Sequence, residues 1–415
     1  MLNALYTLGV RAYTTAIALT APLSSKARKW RDGRTDLFRQ LEAAAAGRTG
    51  WIWMPCASLG EFEQGREVLE ALRAQHPGRP VLVTFFSPSG FEVRKNYTQA
   101  DLVAYLPADT PSNARRFLDL FRPALVIWVK YEFWLNFLWE INRREIPAVL
   151  VAARLASAGP YFSGVLKPLY VRGFQAFSRI FTQDQATADL IQAAIPSARV
   201  TVAGDTRYDR VIATANRFSP IAEVEAFTAG RFTVVCGSTW PACEEVILGE
   251  WERLRALGVK LIFAPHEIHR DRIRAWVEKY PADSCIFSEG MEPEKSILWV
   301  DSIGLLSRLY AYGKAAYVGG GFGSAGLHNI LEPAVYGIPV MFGPRHQKFP
   351  EAGELLAAGG AVEITGASQF AGHIAGWIAQ PALQQVKGGA AGEFVKTRAG
   401  ATRTILEEMA EARFL

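Results

Sequence analysis

Short runs of β-branched and aromatic residues recur along the chain. Each is followed by a Gly, Ser, Pro or Asp turn and then by a helix-like stretch. In the first half the runs are WIWM, PVLVTFF, LVAYL, ALVIWV, AVLVAA, RIFTQ and RVTVAG. In the second half they are FTVVCGS, VKLIFAP, CIFSEG, SILWV, AAYVGGG, PVMFGP and AVEITG. Between them lie amphipathic stretches such as EFEQGREVLEALRAQ and EEVILGEWERLRAL. Continuously apolar strands that alternate with helices form parallel sheets covered on both faces. Two such series predict an α/β protein of two doubly wound, Rossmann-like domains. The length of 415 residues suits two domains of about 200 residues each.

The switch between the series falls in DRVIATANRFSPIAEVEAFTAGRF, near residue 215. This reading assigns 1–35 to an N-terminal helix and basic collar, 36–215 to a first domain and 216–382 to a second. It leaves 383–415 as a helical segment that could pack back on the first domain. The N-terminus begins with the apolar LNALYTLGV, is interrupted by Arg11, and continues as AYTTAIALTAPL to Leu23. Lys26, Arg28, Lys29, Arg31 and Arg34 then stand against Asp32. Arg11 and the threonines disfavour a membrane span of about 20 apolar residues. The broken apolar segment, with cations on its far side, disfavours a secretory signal. The pattern predicts a helix lying in a membrane interface with its collar against anionic lipid; an ordinary docking helix is the alternative. Were the segment to span, the collar would keep the rest of the chain cytoplasmic.

Half the residues are hydrophobic and a fifth are charged, so a well-cored folded protein is expected. The net charge of +5 is a mild excess that suits anionic partners: phosphates, acidic sugars or a lipid surface. No Lys/Arg run is dense enough to point to nucleic acid. Cys56, Cys236, Cys243 and Cys285 form no CxxC and are expected as buried, reduced thiols. Only His266 and His269 have a ligand-like spacing. No third ligand accompanies them, so no zinc site is expected.

Ligands of open α/β sheets lie beyond the carboxyl ends of the strands. The turns at those ends read CASLGEFE, SPSGFE, GSTWPACEE, HEIH, GGGFGSAGLHNILEP and GPRHQKF. Two facing clusters of this kind predict a cleft between the domains. Gly237-Ser238-Thr239 is expected to open a helix whose first N–H groups, with the hydroxyls and the dipole, bind phosphate. Plain N-capping by Ser238 or Thr239 is the alternative. Glycines 319, 320, 321, 323 and 326 allow a tight turn and close approach to a ligand. LHNILEPA is expected to start a helix with Glu332 one turn in from His328, its carboxylate suited to a ribose diol. The chain lacks GxGxxG at the first strand of a βαβ unit and lacks GxxxxGK[ST], so neither a nicotinamide dinucleotide nor an ATP P-loop is indicated.

The glycine-rich turn, His-Asn, Glu-Pro-Ala and GIPVMFGP resemble the donor-nucleotide site of GT-B fold glycosyltransferases. ASLGEFEQG, TFFSPSGFE, AYLPADTP, VKYEFWLN, LVAARLASA, VAGDTRYD and CGSTWPACEE resemble, in order, segments of the Kdo (3-deoxy-D-manno-oct-2-ulosonic acid) transferases of lipid A biosynthesis. The resemblance covers nearly the whole chain and implies the GT-B fold. It implies inverting transfer of Kdo from CMP-Kdo to a lipid A precursor (lipid IVA), at the cytoplasmic face of the inner membrane. It makes Glu61, from Ser-x-Gly-Glu, the base that deprotonates the acceptor hydroxyl, with Gly60 leaving room beside it. It places Ser238, Thr239, Gly323, Ser324, His328 and Asn329 on the CMP phosphate and sugar, and Glu332 on the ribose. Arg207 stands where the family has Lys and would meet the Kdo carboxylate or the phosphate. His266 falls in the family's Pro-Arg-His element, here Pro265-His266-Glu267.

On the acceptor side the resemblance points to Ser58, Gly60, Ser87, Ser89 and Arg154. Arg94 and Lys95 are further candidates for acceptor phosphates, with ordinary solvation as their alternative. Glu63 is read as a first-turn acid that suits the helix dipole. Lys130 departs from the family, which usually has an acid there; Glu132 aligns. No Asp-x-Asp occurs and the leaving group is a monophosphate, so neither a metal nor a cofactor is expected. Competing readings are a GT-B transferase of UDP- or ADP-sugars, a sugar-nucleotide epimerase of the same fold, and a non-catalytic lipid-binding module. The intact Ser-Leu-Gly-Glu stands against the last.

Overall fold

The computed structural model describes residues 2–130, 132–157 and 159–415. The chain divides into two compact units, 1–210 with 399–415, and 211–398. The first contains strands β1 (Ile52–Cys56), β2 (Val81–Phe85), β3 (Leu102–Tyr105), β4 (Leu125–Val129), β5 (Ala148–Ala153), β6 (Arg179–Thr182) and β7 (Val200–Val202). They form one sheet in the order β3-β2-β1-β4-β5-β6-β7. The second contains β8 (Thr233–Thr239), β9 (Lys260–Pro265), β10 (Ser284–Ile286), β11 (Ile297–Trp299), β12 (Ala315–Val318), β13 (Val340–Phe342) and β14 (Ala361–Glu363). Their order is β10-β11-β9-β8-β12-β13-β14. Every strand pairing in both sheets is parallel.

Burial on both faces explains the unbroken apolar runs. Successive strand residues point to opposite faces. Trp53, Val126 and Trp128 join one core layer with Phe117 and Phe137. Ile52, Met54, Leu125, Ile127 and Val129 join the other. Both strand orders reverse direction once. In the first sheet the chain runs outward from β1 through β2 and β3, then returns to place β4 on the other side of β1. In the second, β8 and β12 are the equivalent pair. These two switch points are where a doubly wound sheet leaves a crevice beyond its carboxyl edge.

Seven helices of the first unit matter below: α1 (Leu2–Thr20), α2 (Ser25–Asp32), α3 (Leu37–Ala45), α4 (Leu59–Gln75), α5 (Pro88–Arg94), α6 (Pro111–Phe121) and α7 (Leu135–Arg143). Helix α4 starts at Leu59, two residues before the amphipathic pattern begins, because Ser58 adopts the extended N-cap conformation. It crosses the sheet at Gly65, where a Cβ would lie 2.6 Å from Met54 Sδ and 2.7 Å from Val129 Cγ2. The stretch EEVILGEWERLRAL is two helices, Pro241–Leu248 and Trp251–Ala256, broken at Gly249 and Glu250.

The C-terminal segment is divided. Helix Pro381–Arg398 belongs to the second unit; residues 399–415 return to the first. There Asp209 accepts from the Gly400 and Thr402 N–H groups at 2.6 and 2.7 Å, and Ile405 and Met409 enter the α4 core layer.

Helix α1 buries none of its residues. Its inward side is held by the Tyr6 hydroxyl, which donates to Asp109 at 2.6 Å, and by Thr7, which donates to Asn136 at 3.2 Å. Asp109 also caps α7, accepting from the Asn136 and Phe137 N–H groups. Among the described residues no helix is long and apolar enough to cross a membrane.

The collar is smaller than its composition suggests. Arg34 turns inward, donating to the carbonyls of Trp30, Phe86 and Leu106. Burial holds it down at about 9, below the usual arginine range. Arg31 pairs with Asp32, and Arg28 donates to Ala21 and Pro22 carbonyls.

Gly65→Ala should force Met54 or Val129 aside and cost about 1–3 kcal/mol. Denaturant unfolding should show a lower midpoint with an unchanged slope; an unchanged midpoint would mean that α4 does not pack at this distance.

Candidate functional site

In the first unit the sequence candidates lie beyond β1, β2, β4, β5 and β7. Ser58 is the N-cap of α4, yet its hydroxyl makes no capping bond. Glu61 lies in the first turn and is 6% exposed. Its Oε2 accepts a hydrogen bond from the Ala57 N–H, so the carboxyl group itself closes the turn. Burial pushes the Glu61 carboxyl up from 4.5 to about 7. The Ala57 N–H opposes the rise, Glu132 adds to it, and Lys130 opposes it. Gly60 meets nothing closer than Ser58 Oγ, at 3.9 Å from where a Cβ would stand. The fold does not need glycine there, and the surrounding space is open.

Lys130 follows β4 in a left-handed conformation, φ 59°. Burial lowers its amine from the usual range, Arg207 adds to this, and Glu61 opposes it. Arg207 sits at the start of helix Thr206–Asn216, where Asp205 accepts from its Nε at 2.9 Å. Two links fix that helix to α4: Thr206 donates to the Gln64 carbonyl at 2.6 Å, and Arg210 pairs with Glu67 at 2.6 Å. Arg154 follows β5 and pairs with Asp184 at 3.4 Å. Glu132 is reached through its backbone, whose carbonyl accepts from Trp128 Nε1 at 2.7 Å.

Three expectations change here. Glu63 is no dipole partner; it pairs with Arg94, with Arg66 at 3.6 Å and with Arg210 at 3.5 Å. Arg94 is therefore a half-buried, ion-paired cation, while Lys95 stays exposed, as its alternative had it, beside Glu92 at 3.1 Å. Ser87 caps α5 and its hydroxyl bonds Ser89 at 2.9 Å, so both hydroxyls already serve the turn after β2.

In the second unit the candidates lie beyond β8, β9 and β12. The segment Gly237-Ser238-Thr239 does not open a helix. The strand continues through Thr239, whose partner is Pro265. Ser238 bulges between them at φ 51°. The helix begins at Pro241. Thr239 is fully buried and donates to Glu244 at 3.0 Å, while the bulge leaves Ser238 half-buried.

The glycines of the rich turn serve mainly backbone packing. A Cβ at Gly319 would strike the Ser238 carbonyl, one at Gly320 the Gly326 carbonyl, and one at Gly321 would lie 2.7 Å from Gly343 Cα. Gly323 alone of 319, 320, 321, 323 and 326 has open space, its nearest neighbour being the Ala325 nitrogen at 3.9 Å. Ser324 beside it is exposed. His328 and Asn329 precede the helix, which is one turn, Leu331–Ala334. Asn329 accepts from the Leu331 N–H and donates to Glu332, both at 3.2 Å.

The sequence reading overlooked Trp240. Its indole stacks on His266 at 4.9 Å, His266 stacks on His328 at 4.3 Å, and Trp240 Nε1 donates to His328 Nε2 at 3.1 Å. Burial lowers His328 to about 4, and His266 adds to this. His328 is thus a neutral acceptor on this edge with its proton on Nδ1. The only signal in the sequence was an aromatic next to a strand end. His269 bonds Glu267 at 3.0 Å. Among the described residues no three His, Cys, Asp or Glu side chains converge.

Residues 29–210 match the family described as 3-deoxy-D-manno-octulosonic-acid transferase (kdotransferase). A 3-deoxy-D-manno-octulosonic acid transferase of Aquifex aeolicus is 30% identical over 318 residues, which cover 75% of this chain and 81% of that protein. One of Bordetella pertussis is 26% identical over 97% of this chain and 99% of its own length. The solved UDP-GlcNAc 2-epimerase of Neisseria meningitidis, bound to UDP-GlcNAc, superposes with a TM-score of 0.61 at 13% identity. It covers 88% of this chain and 100% of that one. That likeness concerns the fold, two parallel doubly wound sheets of the GT-B type.

Two outcomes test this geometry without a substrate. Because Glu61 binds its proton more tightly folded than unfolded, its contribution to stability falls as pH rises from about 4.5 to about 7. Glu61→Gln keeps the acceptor for Ala57 and should stabilise the chain by on the order of 2–3 kcal/mol at pH 8. The gain should vanish below about pH 4.5, as followed by urea unfolding at the two pH values. Trp240→Ala removes a donor and a cover from His328. Its ring should then titrate above 4, toward 6.5, in NMR spectra.

Proposed function

Because the chain belongs to the 3-deoxy-D-manno-octulosonic acid (Kdo) transferase family, we propose that it transfers Kdo from CMP-Kdo to a lipid A precursor, lipid IVA. The enzyme is a glycosyltransferase. On this reading an acceptor hydroxyl attacks the anomeric carbon of Kdo as the bond to the CMP phosphate oxygen breaks. The new glycosidic bond has inverted configuration, the hydroxyl proton passes to Glu61, and CMP leaves.

The observation that carries the reading is Glu61. A carboxyl group is buried at the switch point of the first sheet, is anchored by a backbone N–H and titrates near 7. A base with that pKa is substantially ionised at neutral pH, yet it still accepts a proton readily. Ser58 and the open space at Gly60 suit the approach of the acceptor, with Arg154 as a cation for its phosphates. Lys130 and Arg207 bring positive charge beside the base, where the Kdo carboxylate and the leaving phosphate carry negative charge.

For the donor, Ser238 on its bulge, His266, Gly323, Ser324, neutral His328, Asn329 and Glu332 form the proposed seat. Thr239 supports it by holding Glu244 and not by contact. Departure of a monophosphate can be met by hydroxyls, N–H groups and cations, so the proposal includes neither metal nor cofactor. Helix α1, with exposed Leu5, Leu8 and Leu19, is proposed to lie in the cytoplasmic interface of the inner membrane.

CMP release from CMP-Kdo should require lipid acceptor. Absence of CMP release with a turnover of UDP-sugars, or interconversion of a sugar nucleotide without acceptor, would replace this reading with another. Glu61→Gln should lower kcat by 10²–10⁴-fold, as loss of a general base does, while CMP affinity stays near that of the parent. For the parent enzyme kcat/KM should rise with pH and level off above about 7. Lys130→Glu replaces a stabilising cation with an acid, so that limb should move to higher pH. A limb that stays in place would remove Lys130 from the tuning of Glu61.

A further inference from the structure

Beside α1 the first unit holds a cavity of about 1000 Å³, bounded by α1, α6, α7 and helix Lys167–Phe174. It is separate from the turn that carries Glu61. Four of its lining residues are arginines: Arg11, Arg115, Arg143 and Arg172. One acid, Glu140, also lines it, and that acid is already engaged. Arg143 binds it at 2.5 Å and Arg144 at 2.8 Å, which holds its carboxyl down at about 2.

The other three arginines have no carboxylate within ion-pair distance among the described residues. Arg115 donates only to the Pro111 carbonyl of its own helix, at 3.1 Å. Arg172 lies over the Trp139 ring at 5.2 Å. Like charges gathered in one cavity repel each other, and each guanidinium offers several N–H donors, so the cavity is complementary to an anion rich in acceptor oxygens.

The rim decides which anion. Leu8 lines the cavity, and Leu5 and Leu8 on the same face of α1 are 56% and 62% exposed. Leu19 continues the apolar side along the helix at 74% exposed. A cationic cavity edged by exposed leucines matches a molecule with a charged head and an apolar tail. We propose that this cavity seats the phosphate headgroup of an anionic glycerophospholipid while the outward face of α1 enters the acyl boundary. The inference rests on the interfacial reading of α1 but adds a discrete headgroup site to it. The Tyr6–Asp109 hydrogen bond keeps α1 at the cavity wall.

The test uses the full chain and sedimentation with vesicles of phosphatidylcholine, with and without phosphatidylglycerol. Binding should require phosphatidylglycerol. A basic residue at an anionic surface is worth about fivefold in partitioning, so Arg115→Gln with Arg172→Gln should lose roughly 10- to 30-fold. Both guanidinium heads are exposed, so thermal unfolding should be unchanged. Arg253→Gln with Arg270→Gln removes the same net charge from exposed sites of the other unit and should have little effect.

Equal losses in the two double variants would overturn the headgroup site and leave an interfacial α1 standing. Failure of the parent chain to bind phosphatidylglycerol vesicles would overturn both. Protection against thermal unfolding by soluble glycerol phosphate that the Arg115/Arg172 variant abolishes, with vesicle binding unchanged in that variant, would mark a soluble-phosphate site and overturn the lipid assignment. Loss of CMP release has no bearing on any of these readouts, so the headgroup site and the transferase reading can fail separately.

Discussion

The close approach of α4 to β1 and β4 at Gly65 is the constraint on which the first unit depends. With no side chain there, the helix sinks between Met54 and Val129. Its first turn, with Glu61, is thereby set at the carboxyl edge of the two central strands. Other parts of the unit then fasten to the same helix. Thr206 donates to the Gln64 carbonyl, Arg210 reaches Glu67, and Ile405 and Met409 of the returning C-terminus join its core layer. A carboxyl group can be kept buried and near neutrality only on such a braced element. A mobile turn would let it swing into water and recover an ordinary pKa.

The second unit solves the same positional problem mainly with backbone contacts. Gly319 lies against the Ser238 carbonyl, Gly320 against Gly326 and Gly321 against Gly343. These contacts hold the turns after β8, β12 and β13 together and leave Ser238, Gly323 and Ser324 at the edge. The ring stack of Trp240, His266 and His328 adds a neutral imidazole at that edge, its Nε2 taken by the Trp240 N–H, because burial opposes the charge on His328. Each unit thus places its polar groups by packing against a switch point, and in the second the segment 319–330, without helix or strand, is pinned by its glycines.

Charge in the first unit is sorted by the same packing. Acids and arginines with similar local sequence end in different roles. Glu63 is absorbed into a network with Arg66, Arg94 and Arg210, while Glu61, two residues earlier, is excluded from it and faces Lys130. Arg34 is turned inward and half-buried in a collar whose other cations are exposed.

The central strands were legible as apolar runs because burial on both faces leaves a purely local mark; β7 and β14, at the sheet edges, are only part-buried. The family followed from Ser-Leu-Gly-Glu, the glycine-rich turn and Glu-Pro-Ala, where residue type and order carry the chemistry, and Glu61 could be singled out on that basis. The sequence could not show that Gly237-Ser238-Thr239 stays in the strand. That depends on a bulge at Ser238 and on pairing with Pro265, a partner from another strand. Nor could it show that most glycines of the 319–326 turn face other backbone, or that Trp240 joins two histidines from distant segments. By itself the sequence determined the strands, the order of motifs and the candidate base, which are properties of neighbours along the chain. The tertiary structure alone decided which polar groups are spent on one another and which face outward, because burial and pairing are set by residues far apart in the chain.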